Sequence, residues 1–384
     1  MSPTAKTPPA LDVDGLLDDR RTKIIVCCGS GGVGKTTTAA ALGVRAAERG
    51  RDVVVLTVDP ARRLAQSMGL SELDNNPRKI EVGGDGELHA MMLDMKRTFD
   101  EIVEAHADPD RAKQILANPF YQSLSSSLSG TQEYMAMEKL GQLHRSGAWD
   151  LIIVDTPPSR NALDFLDAPE RMGRFLDGRF MKMLAAPAKT GGRLGVKVIS
   201  AGFGMFTGVV NKVIGVQLLR DVQTFVAAFD TVFGGFQERA EKTFQLLQTP
   251  GTAFLVVAAP EPDALREASY FIERLAEERM PLAGLVVNRV HESAADGLSA
   301  ARSLAAAETL EERGDHALTA ALLRLHSDRM QLAAREERLR DNFASTHRNV
   351  PVTAVPAQAE DVHDLDGLRR VGEDLAAPDH TAAA

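Results

Sequence analysis

The run Gly29-Ser30-Gly31-Gly32-Val33-Gly34-Lys35-Thr36, with Thr37 behind it, has the residue types and spacing to hold a row of phosphates. Glycines let successive backbone N–H groups turn inward around phosphate oxygens. A helix opening at the lysine aims its positive end at the same place. Lys35 can then reach the β- and γ-phosphate oxygens, and the Thr36 hydroxyl is a ligand for Mg²⁺. The chemistry this implies is binding of a nucleoside triphosphate. The same letters contain Gly29-x-Gly31-x-x-Gly34, a dinucleotide fingerprint, with Asp59 ending the next apolar run where a ribose-binding acid would stand. Lys35-Thr36 decides between the two, because a dinucleotide site has no use for that pair.

Hydrolysis needs an acid at the metal and a positioned water. The apolar run Leu151-Ile152-Ile153-Val154 ends in Asp155, where a carboxylate can hold Mg²⁺ through a water opposite Thr36. Thr156-Pro157-Pro158-Ser159 follows, and its prolines suit a stiff switch loop. Asp59, just before Pro60, is a second acid aimed at the same edge. Standing alone it reads equally well as a turn-forming Asp before Pro; beside the phosphate loop and Asp155 the chemical reading gains.

These groups need a frame. Apolar runs of strand length begin near Ile24, Val53, Leu88, Leu151, Phe254, Leu285 and Pro351, most of them separated by helical periodicity. Runs apolar on both faces, alternating with helices, predict an α/β fold with a doubly wound, mostly parallel sheet. The core is expected over 21–168 and 251–375, with helical insertions at about 94–145 and 294–347. A separate helical subdomain is expected over 169–250. Its Met and Phe residues, among them Met172, Phe175, Phe206 and Phe229, suit a plain core or a client-binding surface, and the spacer Ala185–Gly195 suits a lid. In the later insertion Leu318, Leu322, Leu325, Leu332, Leu339 and Phe343 share one helical face opposite Arg324, Arg335, Glu336 and Arg338. That pattern predicts a helix packed on its neighbour with the charges outside. Residues 1–20, with Pro3, Pro8 and Pro9, read as a disordered arm, and 376–384 as a disordered tail.

Composition sets limits. A net charge of -9 provides no general attraction to nucleic acid or anionic lipid. The 2 cysteines, Cys27 and Cys28, are adjacent in one apolar strand and face opposite ways, as small core residues do. They fit a reducing cytoplasm, and residues 1–20 lack the apolar stretch of a signal peptide. Val198–Leu219 is broken by Gly202, Gly204, Gly208 and Lys212 and reads as a buried or client-facing helix rather than a membrane span.

Gly29–Thr37, Thr57-Val58-Asp59-Pro60-Ala61, Asp155-Thr156-Pro157-Pro158, Val286-Val287-Asn288 and Val355-Pro356 stand in the order found in the ArsA family of ATPases, and over about residues 22–375 the chain resembles that family. Its members include arsenite-pump ATPases and the cytosolic ATPases that target tail-anchored membrane proteins. The resemblance implies Mg-dependent ATP hydrolysis by a nucleotide-switched dimer that acts on a protein client or membrane partner. It implies that Asp59 positions the attacking water, that Asp155 serves the Mg²⁺, and that Asn288 reads adenine with help from the loop after Pro356. An Asn at a strand end offers the donor and acceptor that adenine requires.

The chain departs from the family at three letters. Ser30 stands where the family carries a lysine that crosses to the partner's phosphates, Arg62 where it has His, and Arg160 where it has Gly. Loss of that lysine removes a charge that stabilises a transferring phosphoryl group. The expectation is a heterodimer with a lysine-bearing paralogue, or replacement of the charge by Arg62 or Arg160. Neither a shared Cys-x-x-Cys zinc nor a thiol-bound metalloid can be built from Cys27 and Cys28 alone. Two alternatives stay open: an energising subunit of an anion or metalloid exporter, and a nucleotide-gated scaffold with little turnover of its own.

Overall fold

The computed structural model describes residues 8–59, 63–119, 121–122, 132–157 and 236–377, apart from 294, 296 and 315. The aliphatic runs fold into strands β1 (Ile24–Cys28), β2 (Val53–Thr57), β3 (Arg78–Ile80), β4 (Leu88–Met92), β5 (Leu151–Asp155), β6 (Thr252–Ala258), β7 (Leu282–Val290) and β8 (Val352–Pro356). They form one 8-stranded sheet in the order β3-β4-β2-β5-β1-β6-β7-β8. Every pairing is parallel except β3 with β4. The doubly wound, mostly parallel α/β fold read from the sequence is therefore present, with one strand more than expected. β3 has only 3 residues, Arg-Lys-Ile, and its burial rises only at Ile80, so it carries no apolar run to read.

All positions of β1, β2, β5 and β6 are buried, so both faces at the centre of the sheet are covered. The helix Lys35–Glu48 contributes small side chains to that packing, and Ala39, Ala40, Ala41, Ala46 and Ala47 are all fully buried. A Cβ at Gly43 would come within 2.6 Å of Val55 Cγ2, so glycine lets this helix lie close against β2. Gly29, Asp59 and Thr156 follow the carboxyl ends of β1, β2 and β5, and Asn288 and Pro356 lie in the last residues of β7 and β8, the edge at which such sheets bind ligands.

Residues 8–20 are not the free arm expected, and 1–7 lie outside the described residues. Leu11 N–H donates to Val352 O at 3.0 Å and Val352 N–H to Pro9 O at 2.9 Å, extending the sheet beyond β8. Asp12 then caps the helix Val13–Asp18 by accepting from Gly15 N–H at 2.8 Å. Val13 and Leu17, one helical turn apart, are buried, and Asp14 pairs with Arg45 at 2.6 Å. Pro8 and Pro9 mark the entry to this segment; the Val13/Leu17 pair determines its fate.

The described residues divide into two units. One comprises 8–92, 148–157 and 247–377, and the other 93–147 and 236–246. In the second, the helices Met95–His106, Pro109–Leu116 and Gln132–Ser146 bury Phe99, Ile102, Ile115, Tyr134, Met137 and Leu140. Lys139 pairs with Glu101 at 2.9 Å, and buried Glu138 accepts from Arg239 at 3.2 Å. From 158 to 235 the chain lies outside the described residues, and with it the Met- and Phe-rich stretch, the spacer Ala185–Gly195 and Val198–Leu219. Tail residues 378–384 also lie outside, after the helix Leu365–Ala376. Among the described residues no helix is long and apolar enough to cross a membrane.

The later insertion is a hairpin of helices Ala300–Arg313 and Ala317–Thr346, turned at Gly314 with φ 69°. Its expected polarity holds at Phe343, which is buried, and at Arg335 and Arg338, which are exposed, and fails elsewhere. Leu318, Leu322 and Leu325 are 75%, 56% and 65% exposed, whereas Glu336 is buried. Small buried residues on both arms, Ser303 and Ala307 with Ala320 and Ser327, let the two helices approach closely. Ser327 and Glu336 are nine residues apart, or about two and a half helical turns, so they lie on opposite sides of the long helix. The buried face thus changes along its length, which a single periodicity does not capture.

Candidate nucleotide site

Backbone shape comes first. Gly34 caps the helix Lys35–Glu48 in the left-handed region with φ 97°, and a Cβ there would sit 2.1 Å from Asn288 Nδ2. Gly29 has φ 148°, and a Cβ there would meet Val257 O at 2.1 Å. Only glycine fits either position. The loop between them closes on its own lysine: Lys35 Nζ donates to Ser30 O at 2.8 Å. Val33 is buried, while Gly31 and Gly32 are exposed, so the apex is open and its base is anchored. Burial lowers the Lys35 pKa, and the nearby charge of Asp155 opposes that shift.

The acids sit where the strand register puts them. Thr57 and Asp155 are directly paired across β2 and β5, and Cys27 and Asp155 across β1 and β5. Asp155 is fully buried. Its Oδ2 accepts from Thr36 Oγ1 at 2.7 Å and from Thr57 Oγ1 at 2.9 Å, while its Oδ1 is buried with no hydrogen-bond partner. Burial raises its pKa to about 6, against the opposing pull of the two threonine hydrogen bonds and Lys35. A buried carboxylate oxygen without a partner is costly. Placed beside a phosphate loop and a threonine hydroxyl, it fits a bound Mg²⁺ with its water shell. Asp59 is buried, and its N–H donates to Thr57 Oγ1 at 3.2 Å. Thr156 Oγ1 donates to Cys27 O at 2.9 Å, which ties the start of the following loop to β1.

Lys35, Thr36, Asp59 and Thr156 line a cavity of about 880 Å³, large enough for a nucleotide, which also takes in Asn288, Arg289, His291, Pro356, Gln358 and His363. Asn288 Nδ2 donates to Val33 O at 2.8 Å, joining the end of β7 to the phosphate loop. At the β7 edge the register with β8 shifts between Asn288 and Val290, and Arg289 takes a left-handed φ of 65°. Three polar positions within four residues, Asn288, Arg289 and His291, reach the cavity at that bulge.

The cavity thus gathers Gly32, Gly34, Lys35, Thr36, Thr37, Asp59, Asn288 and Pro356, and Asp155 lies directly beneath Thr36. Ser30 contributes its carbonyl to Lys35. Arg62 and Arg160 lie outside the described residues. Thr57 was a missed partner, and its strand-end position opposite Asp155 was the available signal. His291 was also missed, together with the residue that holds it, Glu336. Nothing in sequence links two residues 45 positions apart. Cys27 and Cys28 are buried, and burial raises both thiols, Cys28 to about 12, so neither presents a thiolate to a metalloid.

A family model described as anion-transporting ATPase, ArsA_ATPase, matches residues 22–312. The chain is 31% identical to an ATPase GET3 of Malassezia globosa over 44% of its own length and 48% of that protein. It therefore aligns with about half of that relative. With an ATPase GET3 of Podospora anserina it shares 26% identity over 72% of its length and 76% of the relative. A putative arsenical pump-driving ATPase 1 of Aquifex aeolicus is 28% identical over 64% of this chain and 58% of that protein.

Proposed function

The chain belongs to the ArsA family of ATPases, and on that premise we propose that it is a Mg-dependent, nucleotide-switched dimer that hydrolyses ATP to act on a protein client or membrane partner. The observation that carries the reading is the buried carboxylate of Asp155, bound on one oxygen by Thr36 and Thr57 and partnerless on the other. Thr36 and Asp155 would hold Mg²⁺, which when bound supplies positive charge against the β- and γ-phosphate oxygens. Lys35 leaves Ser30 O to neutralise the same oxygens, and the inward N–H groups of the glycine loop hold them in place. Asp59 orients a water for in-line attack on the γ-phosphorus; the β–γ bond breaks and ADP leaves with the electron pair. Asn288, which lines the same cavity, reads adenine.

Because Asn288 reaches the phosphate loop and Thr156 starts the loop after β5, nucleotide state has two direct mechanical outlets. Lys35→Ala tests the assignment. It removes the buried cation and should lower kcat by at least about a hundredfold, the scale of losing a preorganised charge. Full turnover in that variant would remove the site from consideration.

The second reading, an energising subunit for anion export, draws on the anion-transporting description of the family and the pump-driving name of one relative. It predicts stimulation of hydrolysis by oxyanions. The buried thiols argue against thiol-bound arsenite or antimonite as the species carried.

A further inference from the structure

The helical hairpin inserted after β7 reaches back to the nucleotide cavity through one side chain. Glu336, in the second half of the long helix, is buried and takes both donors of His291: the backbone N–H at 2.8 Å on Oε2 and Nδ1 at 2.8 Å on Oε1. This two-point grip fixes the ring's position and its tautomer, since Nδ1 must carry the proton it gives to the carboxylate. A neutral ring held this way keeps Nε2 as an acceptor. His291 is half-buried and lines the cavity three residues after Asn288, the residue proposed above to read adenine.

Burying a carboxylate on a helix is expensive unless its hydrogen bonds are made. Glu336 satisfies both oxygens with one residue, and that residue opens on the cavity. We propose that His291 is a further specificity residue of the nucleotide site, contacting the nucleoside portion of the ligand, and that Glu336 is its positioning residue. The inference rests on the nucleotide reading above. It also gives the inserted hairpin a role in the site: the helix that carries Glu336 completes the nucleoside end of the cavity.

The test separates nucleoside from phosphate recognition. Binding of ATP and of inorganic tripolyphosphate, each with Mg²⁺, is measured calorimetrically on the full chain, on His291→Ala and on Glu336→Gln. With one ligand hydrogen bond lost, His291→Ala should weaken ATP about tenfold and leave tripolyphosphate unchanged. Glu336→Gln keeps the shape but offers only one acceptor oxygen, so a smaller loss of ATP affinity, about threefold, is expected, again with tripolyphosphate unchanged. Unaltered ATP binding in His291→Ala overturns the proposal, and so does an equal loss for both ligands, which is the mark of a merely structural residue. Failure of the underlying nucleotide reading looks different: the unsubstituted chain then binds neither ligand, and the proposal falls with it.

Discussion

At the scale of single residues, the site is set by a carboxylate held in the wrong medium for its charge. Burial raises Asp155 to about 6, although Thr36 and Thr57 both donate to it. Because the folded pKa lies above the ordinary 3.8, the folded chain holds this proton more tightly than the unfolded chain does. The stability that comes from it is complete below about pH 4 and disappears as pH rises through about 6. Mg·ATP binding has the opposite sign, since a cation selects the ionised carboxylate and the proton must leave. As pH falls from 7.5 to 5, Mg·ATP affinity should fall more in the natural chain than in Asp155→Asn, the difference in slope growing from near zero above about pH 7 towards one proton below about pH 6. The nucleotide's own titration is common to both, so only the difference in slope reports Asp155. Parallel pH profiles in a fluorescence titration would show that Asp155 does not titrate against the metal. Gly34 is the other single letter on which the site depends. With φ 97° and Asn288 Nδ2 at 2.1 Å from a Cβ, Gly34→Ala should detach Asn288 from Val33 and lower ATP affinity by at least about tenfold, even where the fold survives.

At the scale of elements, what positions the site is the fit of segments distant in sequence. Arg51 is fully buried at the turn before β2, and its guanidinium donates to Leu17 O at 2.8 Å, Thr22 O at 2.6 Å and Asp150 O at 2.7 Å. It therefore ties the N-terminal helix Val13–Asp18, the lead-in to β1 and the lead-in to β5 into one joint. Replacing it with Ala leaves three carbonyls short of a donor, and should cost about 3 kcal/mol in urea unfolding with the slope of the transition unchanged. Methionine should recover part of this by filling the volume; a loss under about 1 kcal/mol for Ala would mean water replaces the guanidinium freely. The sequence made the central strands and the phosphate loop legible because β1, β2, β5 and β6 are buried on both faces and the loop chemistry admits few letters. It hid the parts whose logic is tertiary. β3 is too short to show a period. The N-terminal helix is held through Leu17 O, which accepts from an arginine 34 residues on. On the long hairpin helix, Glu336 belongs inside because His291 meets it there, while Leu318, Leu322 and Leu325 stay outside. Amphipathic pattern alone assigns those residues the reverse way.

At the scale of the molecule, the open matter is how many chains make one working site. The glycine loop exposes Gly31 and Gly32, and Ser30 has only a hydroxyl where the family resemblance expects a cation aimed at a partner's phosphates. A γ-phosphate entering this cavity meets Lys35, and Arg63 and Arg289 line the same cavity; the charge that Ser30 lacks is proposed to come from a different, lysine-bearing chain or from Arg62 or Arg160. These sources differ in a measurable way. If a lysine-bearing paralogue supplies the charge, the purified chain turns over slowly at every concentration. Mixing in the paralogue then raises the rate per chain by at least about a hundredfold, the scale of one missing electrostatic donor. If an arginine of the same chain supplies it, the chain works in a homodimer. Its rate per chain climbs with protein concentration as copies associate, and Arg62→Ala or Arg160→Ala removes that climb. Ser30→Lys should raise the rate of the isolated chain in the first case and change little in the second. Steady-state ATPase across a hundredfold range of chain concentration, with light scattering to follow mass in the presence and absence of Mg·ATP, distinguishes them. A dimer of this chain alone, hydrolysing ATP at a rate indifferent to both arginine substitutions and to Ser30→Lys, would show that the site works without the charge that Ser30 lacks.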